Sequence, residues 1–234
     1  MRAVQNMPCG PAPVIVLAPH PDDESLGCGL LLAEIWRRGG EAHVMCLTDG
    51  AASHRGSAEW SADRLAALRR AELSGAVAEL GGDPTRDVTW LGFPDAALHR
   101  VHGPGDDPVR SILALVDDFG AGTLVAASPS DPHCDHLAGA RAALRVKAAR
   151  PGLNLLFYPI WSRWQLHEAG ADADSQVPIV LDLPRHRSAK RAAIAAHRSQ
   201  MGQVVADDPD GFVMPDGFAD YFAEAPEHYF PVGR

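Results

Sequence analysis

Short, uninterrupted apolar runs alternate along the chain with stretches of helical period. Val14-Ile15-Val16-Leu17-Ala18 reads as a strand buried on both faces. Leu26 to Arg38 follows as a helix, with Leu26, Leu30, Ala33 and Trp36 at helical spacing and Gly39-Gly40 as its stop. The unit then repeats. His43 to Leu47 reads as a second strand, and a long helix runs from Ser61 or Ala62 through Leu65, Leu68, Leu73, Val77 and Leu80 to Gly81-Gly82. Val88 to Leu91 is a third strand, Val109 to Phe119 a short helix and Thr123 to Ala127 a fourth strand. A helix from about Asp135 to Ala149 and a fifth strand, Leu153 to Tyr158, come next. Pro178 to Leu183 reads as a sixth strand on an edge, and Arg187 to Gln200 as an amphipathic helix with Ala192, Ile194 and Ala195 inward. Trp161-Ser162-Arg163-Trp164 reads as a loop after the fifth strand, its tryptophans free to stack on a sugar or an apolar aglycone or to pack as core or lid.

Strands alternating with helices imply a mainly parallel sheet covered on both faces, a Rossmann-like α/β fold. The 234 residues suit a single domain. Residues 1–13 are Pro-rich and read as a loose arm, and residues 201–234 as a wrap over the body. A net charge of −9 argues against a nucleic-acid partner. No apolar run is long enough for a membrane span, and no secretory signal pattern opens the chain. Four widely spaced cysteines without a Cys-x-x-Cys pair favour free thiols and a cytoplasmic setting, with Cys28 and Cys46 as small core residues. The oligomeric state stays open, a homo-oligomer included.

The chemistry gathers after the first strand. His20-Pro21-Asp22-Asp23-Glu24 packs an imidazole and three carboxylates into a strand-to-helix turn, at the sheet edge where open α/β folds bind ligands. An imidazole and a carboxylate three residues apart can reach one cation, while the neighbouring carboxylate handles protons. The alternative is that these acids only favour the helix N-terminus. Ser128 to His136 also follows a strand and opens a helix, which brings His133 and His136 to the same edge. His54, His99 and His102 lie in loops that can rim it, and Asp49-Gly50 ends a strand there.

The pairing of His20-Pro21-Asp22-Asp23-Glu24 with a downstream His-x-Asp-His resembles the LmbE-like (PIG-L) family of zinc-dependent N-acetylglucosaminyl deacetylases. Arg69-Arg70-Ala71-Glu72, Leu91-Gly92-Phe93-Pro94-Asp95 and His197-Arg198-Ser199-Gln200 resemble further, weaker stretches of the family. The resemblance implies that His20, Asp23 and His136 bind zinc, that Asp22 is the general base, and that His133 is a cationic stabiliser of the reacting carbonyl and a candidate acid. It implies that Arg69 and Asp95 contact the sugar or its aglycone, and that Glu24 holds the turn. Fe(II) would also suit the ligand set. The implied reaction is removal of an acetyl group from an N-acetylglucosamine-type small molecule. An amidase acting on another N-acyl conjugate and a non-catalytic sugar-binding relative are the alternatives. A nucleotide-binding module is disfavoured, because Gly27-Cys28-Gly29 is followed by Leu32 where a third glycine belongs.

Overall fold

The structure, a computed structural model, describes residues 7–101, 107–168 and 177–233. His102 and residues 1–6 of the expected arm lie outside them. Among the described residues, the chain runs β1 (Val14–Ala18), α1 (Asp23–Arg37), β2 (Ala42–Thr48), α2 (Ala62–Glu79), β3 (Val88–Phe93), α3 (Pro108–Phe119), β4 (Thr123–Ala127), α4 (Cys134–Ala149), β5 (Asn154–Tyr158), α5 (Trp161–Glu168), β6 (Ile179–Leu181), α6 (Arg187–Ala196), α7 (Phe218–Glu224) and β7 (Glu227–Pro231).

The strands form one sheet in the order β3-β2-β1-β4-β5-β7-β6. The five from β3 to β5 pair in parallel, and β7 runs antiparallel to both β5 and β6. Alternation along each strand divides the interior into two cores. Val14, Val16, Ala18, Val44, Cys46, Val125 and Leu156 pack with α1, α2, α6 and α7, whereas Ile15, Leu17, Met45, Leu47, Leu124 and Leu155 pack with α3 and α4. Burial on both faces explains why the middles of these strands are continuous apolar runs rather than alternating. Cys28 and Cys46 are buried core residues, as expected of them.

Three elements differ from the sequence reading, the first being the late amphipathic helix, which ends at Ala196 and not Gln200 and leaves Ala195 exposed. Trp161 to Glu168 is a helix and not a loop, which buries Trp164 and leaves Trp161 partly exposed. The final segment is more than a wrap, since it supplies α7 and a strand that enters the sheet between β5 and β6. Its Glu227 explains the insertion. That carboxylate is buried, accepts the Leu30 and Leu31 amides of α1 at 2.7 and 3.0 Å, and pairs with Lys190 of α6 at 2.7 Å. The Tyr229 hydroxyl donates to it at 2.7 Å, so this buried charge has a full set of partners.

Strand order reverses direction between β1 and β4, and ligands of open α/β sheets bind beyond the carboxyl ends of strands at that point. The β1–α1 turn carries His20 to Asp23, and the β4–α4 turn carries Ser128 to His136.

Candidate active site and metal centre

Asp22 sits at the head of α1 with φ 130°, a backbone conformation rarely adopted by a residue with a side chain. Its side chain does not cap the helix. Glu24 holds the turn instead, accepting the Asp22 amide at 3.0 Å and facing His197 Nε2 at 3.0 Å. Asp23 folds back so that Oδ2 accepts the His20 amide at 2.8 Å. The acids of this turn are thus committed to specific partners beyond the general attraction of a helix N-terminus.

Asp23 Oδ2 is also where the two distant motifs meet. It lies 3.3 Å from His20 Nδ1 and 3.3 Å from His136 Nε2. His136 Nε2 is buried and makes no hydrogen bond, although its other nitrogen, Nδ1, contacts Asp131 Oδ2 at 2.9 Å. A proton on Nδ1 leaves Nε2 with a free lone pair aimed at Asp23, which is how a metal-ligating histidine is presented. His20 is set the same way: Nδ1 faces Asp23, while Nε2 faces Asp95 Oδ1 and Asp135 Oδ2, each at 3.3 Å. His20, His133 and His136 can bring one ligand atom each within 4.8 Å of one another. This set of imidazole nitrogens and carboxylate oxygens fits a borderline divalent cation.

The electrostatics agree. Burial alone would depress the imidazoles, but Asp23 and Asp131 outweigh it and push His136 up to about 9. Burial is likewise outweighed at His20, which Asp135, Asp23 and Asp95 raise well above its ordinary value. Asp23 moves the opposite way, held far below the usual carboxylate range against its burial by His136 and His20. The pocket therefore stabilises positive charge at the point shared by these three side chains.

Asp22 has a different environment. Burial is the largest influence and raises it to about 7, with Arg69 opposing. Arg69 Nη2 donates to Asp22 Oδ2 at 3.1 Å and to the Pro21 carbonyl at 2.6 Å, and Nη1 donates to the Gly50 carbonyl at 2.9 Å. Gly50, at φ 64°, leaves no room for a Cβ beneath that guanidinium. Arg69 is therefore spent on the strained turn and on Asp22. The Asp95 carboxylate is similarly engaged, by His20 and by the Ala52 amide at 2.9 Å, although both residues line the cavity.

His133 completes the cluster, its ring centroid 4.5 Å from that of His20. Its Nδ1 accepts the Asp135 amide at 3.2 Å. Burial first, then the nearby His20 and His136, lower it to about 4. With Nδ1 accepting, the neutral ring carries its proton on Nε2. Cys134 Sγ turns towards Asp135 Oδ1 at 3.6 Å. His54 is buried away from this group, and His99 is exposed.

Sequence reasoning missed Asp131 and Asp135. Asp131 holds His136 and also accepts the Ser162 hydroxyl at 2.6 Å and its amide at 2.9 Å, which anchors α5. Asp135 accepts the Ala96 and Leu98 amides at 2.7 and 3.0 Å, which fixes the loop bearing Asp95. Both lie in the turn already singled out for its histidines, and two acids flanking His133 were the available signal. The weaker motifs also gain partners, because Glu72 accepts the Ser199 amide and hydroxyl at 2.8 and 2.7 Å.

A doubly covered parallel sheet with a histidine–carboxylate cluster at its switch point defines an α/β protein with a candidate mononuclear metal centre. A profile of the PIG-L family, described as GlcNAc-PI de-N-acetylase, matches residues 15–147. That span exceeds half of the chain and includes both motifs, and the chain belongs to the PIG-L family. It is 29% identical over 232 residues to the 1D-myo-inositol 2-acetamido-2-deoxy-alpha-D-glucopyranoside deacetylase of Mycolicibacterium vanbaalenii, covering 82% of this chain and 80% of the relative. The zinc-inhibited form of teicoplanin deacetylase superposes with a TM-score of 0.65 at 19% identity, covering 95% of this chain and 98% of the other. The 4-carboxy-2-hydroxymuconate hydratase of Pseudomonas putida KT2440 reaches a TM-score of 0.68 at 17% identity, covering 95% and 97%. The fold alone is thus shared by enzymes of different chemistry, and the assignment of a reaction rests on the family and the site. No helix among the described residues is long and apolar enough to cross a membrane.

Proposed function

We propose that this chain is a zinc-dependent hydrolase that removes the acetyl group from an N-acetylglucosamine-type amino sugar. The observation that carries this reading is the unpartnered, buried His136 Nε2 facing Asp23 Oδ2 at 3.3 Å, with His20 Nδ1 at the same oxygen. His20, Asp23 and His136 would hold the ion, and Fe(II) suits the same donors. Zinc bound there supplies Lewis acidity to an acyl oxygen and to water.

The remaining steps belong to the protein. Asp22, kept near neutral pKa by burial, takes the proton of the attacking water, while Arg69 fixes one of its oxygens. His133, oriented by the Asp135 amide, directs Nε2–H at the oxygen on which charge develops. Asp22, having collected a proton, returns it to the departing amine. Asp131 and the Asp95–Asp135 pair orient His136 and His20. The similarity of the chain to a deacetylase of an acetamido sugar glycoside supports the substrate class.

The test is metal analysis of the purified protein together with amine release from a panel of 2-acetamido-2-deoxy-glucopyranosides. Zinc-dependent release of free amine and acetate in equal amounts is expected. A zinc-loaded, folded protein that releases amine from none of them would overturn the reading.

A further inference from the structure

The cavity above the cluster has a volume of about 570 Å³, within the roughly 300–1,000 Å³ typical of small-molecule sites. One side is the polar cluster already described. Another part of the lining, Ile160, Trp161, Phe212, Val213, Met214 and Phe218, is apolar. Trp161 is tilted on Phe218 with ring centroids 4.9 Å apart and meets Phe212 edge-on at 5.8 Å. Val213 continues this wall and is 47% exposed, one of four exposed large apolar side chains among the described residues. Trp161 and Phe212 are half-buried and line the cavity.

The polar residues Ser53, Arg55, Gln200 and Asp210 line the same cavity. Gln200 Nε2 is engaged by the Ser199 and Ser53 hydroxyls at 2.9 and 3.4 Å. Hydroxyls laid flat on the Trp161 and Phe212 rings would lose water without gaining a hydrogen-bond partner from the rings. A flat apolar group would instead cover the wall and stack on its rings.

We propose that the amino sugar processed by this chain carries an apolar substituent, which Trp161, Phe212 and Val213 select against a polyol such as inositol. The inference rests on the deacetylase reading above and specifies the substrate of the same site. The shared chemistry is an apolar group beside the scissile amide, and it has two sources: an aglycone on the anomeric oxygen, or an acyl chain longer than acetyl.

The experiment uses the zinc-loaded full chain and compares kcat/KM for four compounds: methyl, benzyl and inositol 2-acetamido-2-deoxy-α-D-glucopyranoside, and the methyl glycoside bearing N-hexanoyl in place of N-acetyl. The benzyl or the hexanoyl compound is expected to exceed both the methyl and the inositol compounds by about tenfold or more, the scale on which apolar pockets discriminate, with the gain in KM. Whichever arm gains identifies the source. Val213→Asn, at an exposed position outside the cluster, is expected to erase most of that gain. Trp161→Ala is expected to do the same more strongly. An inositol glycoside used as well as or better than both apolar compounds would overturn the inference and leave the deacetylase reading intact. So would a loss that is equal on every substrate in Val213→Asn. Amine release from none of the four would overturn both.

Discussion

Replacing Asp131 by Asn tests whether His136 is set up by its neighbour to hold a metal. Asp131 Oδ2 lies 2.9 Å from His136 Nδ1, both groups are buried, and the opposite nitrogen of His136 faces Asp23. A carboxylate there fixes the tautomer and strengthens Nε2 as a ligand, whereas an amide is neutral and places an N–H donor among donors. Loss of such an outer partner typically lowers metal affinity by about 10–100-fold, which is about 1.4–2.8 kcal/mol of binding free energy. The same substitution disturbs the bonds to the Ser162 hydroxyl and amide. Leaving those buried donors poorly paired costs about 1–3 kcal/mol of stability. The two effects are separable. Ser162→Ala removes the hydroxyl bond to Asp131 and leaves the His136 contact in place. Zinc affinity is measured by competition with a chromophoric chelator on protein whose fold is verified by circular dichroism, and stability by urea titration. Asp131→Asn should weaken zinc by about 10–100-fold, while Ser162→Ala should lose stability with little change in zinc affinity. Parental zinc affinity in folded Asp131→Asn, or an equal weakening in Ser162→Ala, would refute the reasoning.

Asp22→Asn should keep its zinc and lose about 10²–10⁴-fold in kcat, as read by amine release alongside metal content; near-parental turnover would remove Asp22 as the base. Because Asp22 acts deprotonated and sits at about 7, kcat/KM should fall as pH drops below about 7, and an acid limb at the ordinary carboxylate position would count against this role. In the metal-free protein, Asp22 and His136 both hold their protons more tightly than in the unfolded chain, at about 7 against 3.8 and about 9 against 6.5. Their protonated forms therefore favour the fold, and that contribution is lost as pH rises through about 7 for Asp22 and about 9 for His136. Melting temperature should decline over this range without metal and decline less with zinc, which takes the place of the His136 proton; indistinguishable slopes would contradict the linkage. Lys190→Met should cost about 3–5 kcal/mol in urea denaturation, because Glu227 is left buried without its cation. A loss below 1 kcal/mol would mean that the three hydrogen-bond donors to Glu227 suffice.

The parallel half of the sheet was legible because strands buried on both faces carry continuous apolar runs, as Val14–Ala18 and residues 124–127 do. The antiparallel end was not. β7 reads Glu-His-Tyr-Phe-Pro, and its charged first residue belongs in a strand only because α1 and α6 supply partners from far along the chain. α5 was hidden for a related reason. It spans only eight residues, and its start is fixed by Asp131, which no local periodicity reports. At the site, the two motifs were visible as residue types that make sense together, and their convergence followed from strand order. The division of labour among the aspartates was not visible. Asp22, Asp23, Asp131 and Asp135 are chemically identical, and only their neighbours decide which one faces Arg69, which the imidazoles, and which the backbone amides. Arg69 and Asp95, expected to contact the sugar, line the cavity, and their contacts with Asp22 and His20 depend on side-chain directions that spacing alone does not encode.

X-ray absorption at the zinc edge, with metal quantification on the same sample, tests the common point of His20, Asp23 and His136 most directly. One ion per chain is expected, surrounded by nitrogen and oxygen at about 2.0–2.2 Å with the signature of two imidazoles, reduced to one in His136→Ala. A sulfur neighbour at about 2.3 Å, or a shell unchanged in that variant, would contradict the account.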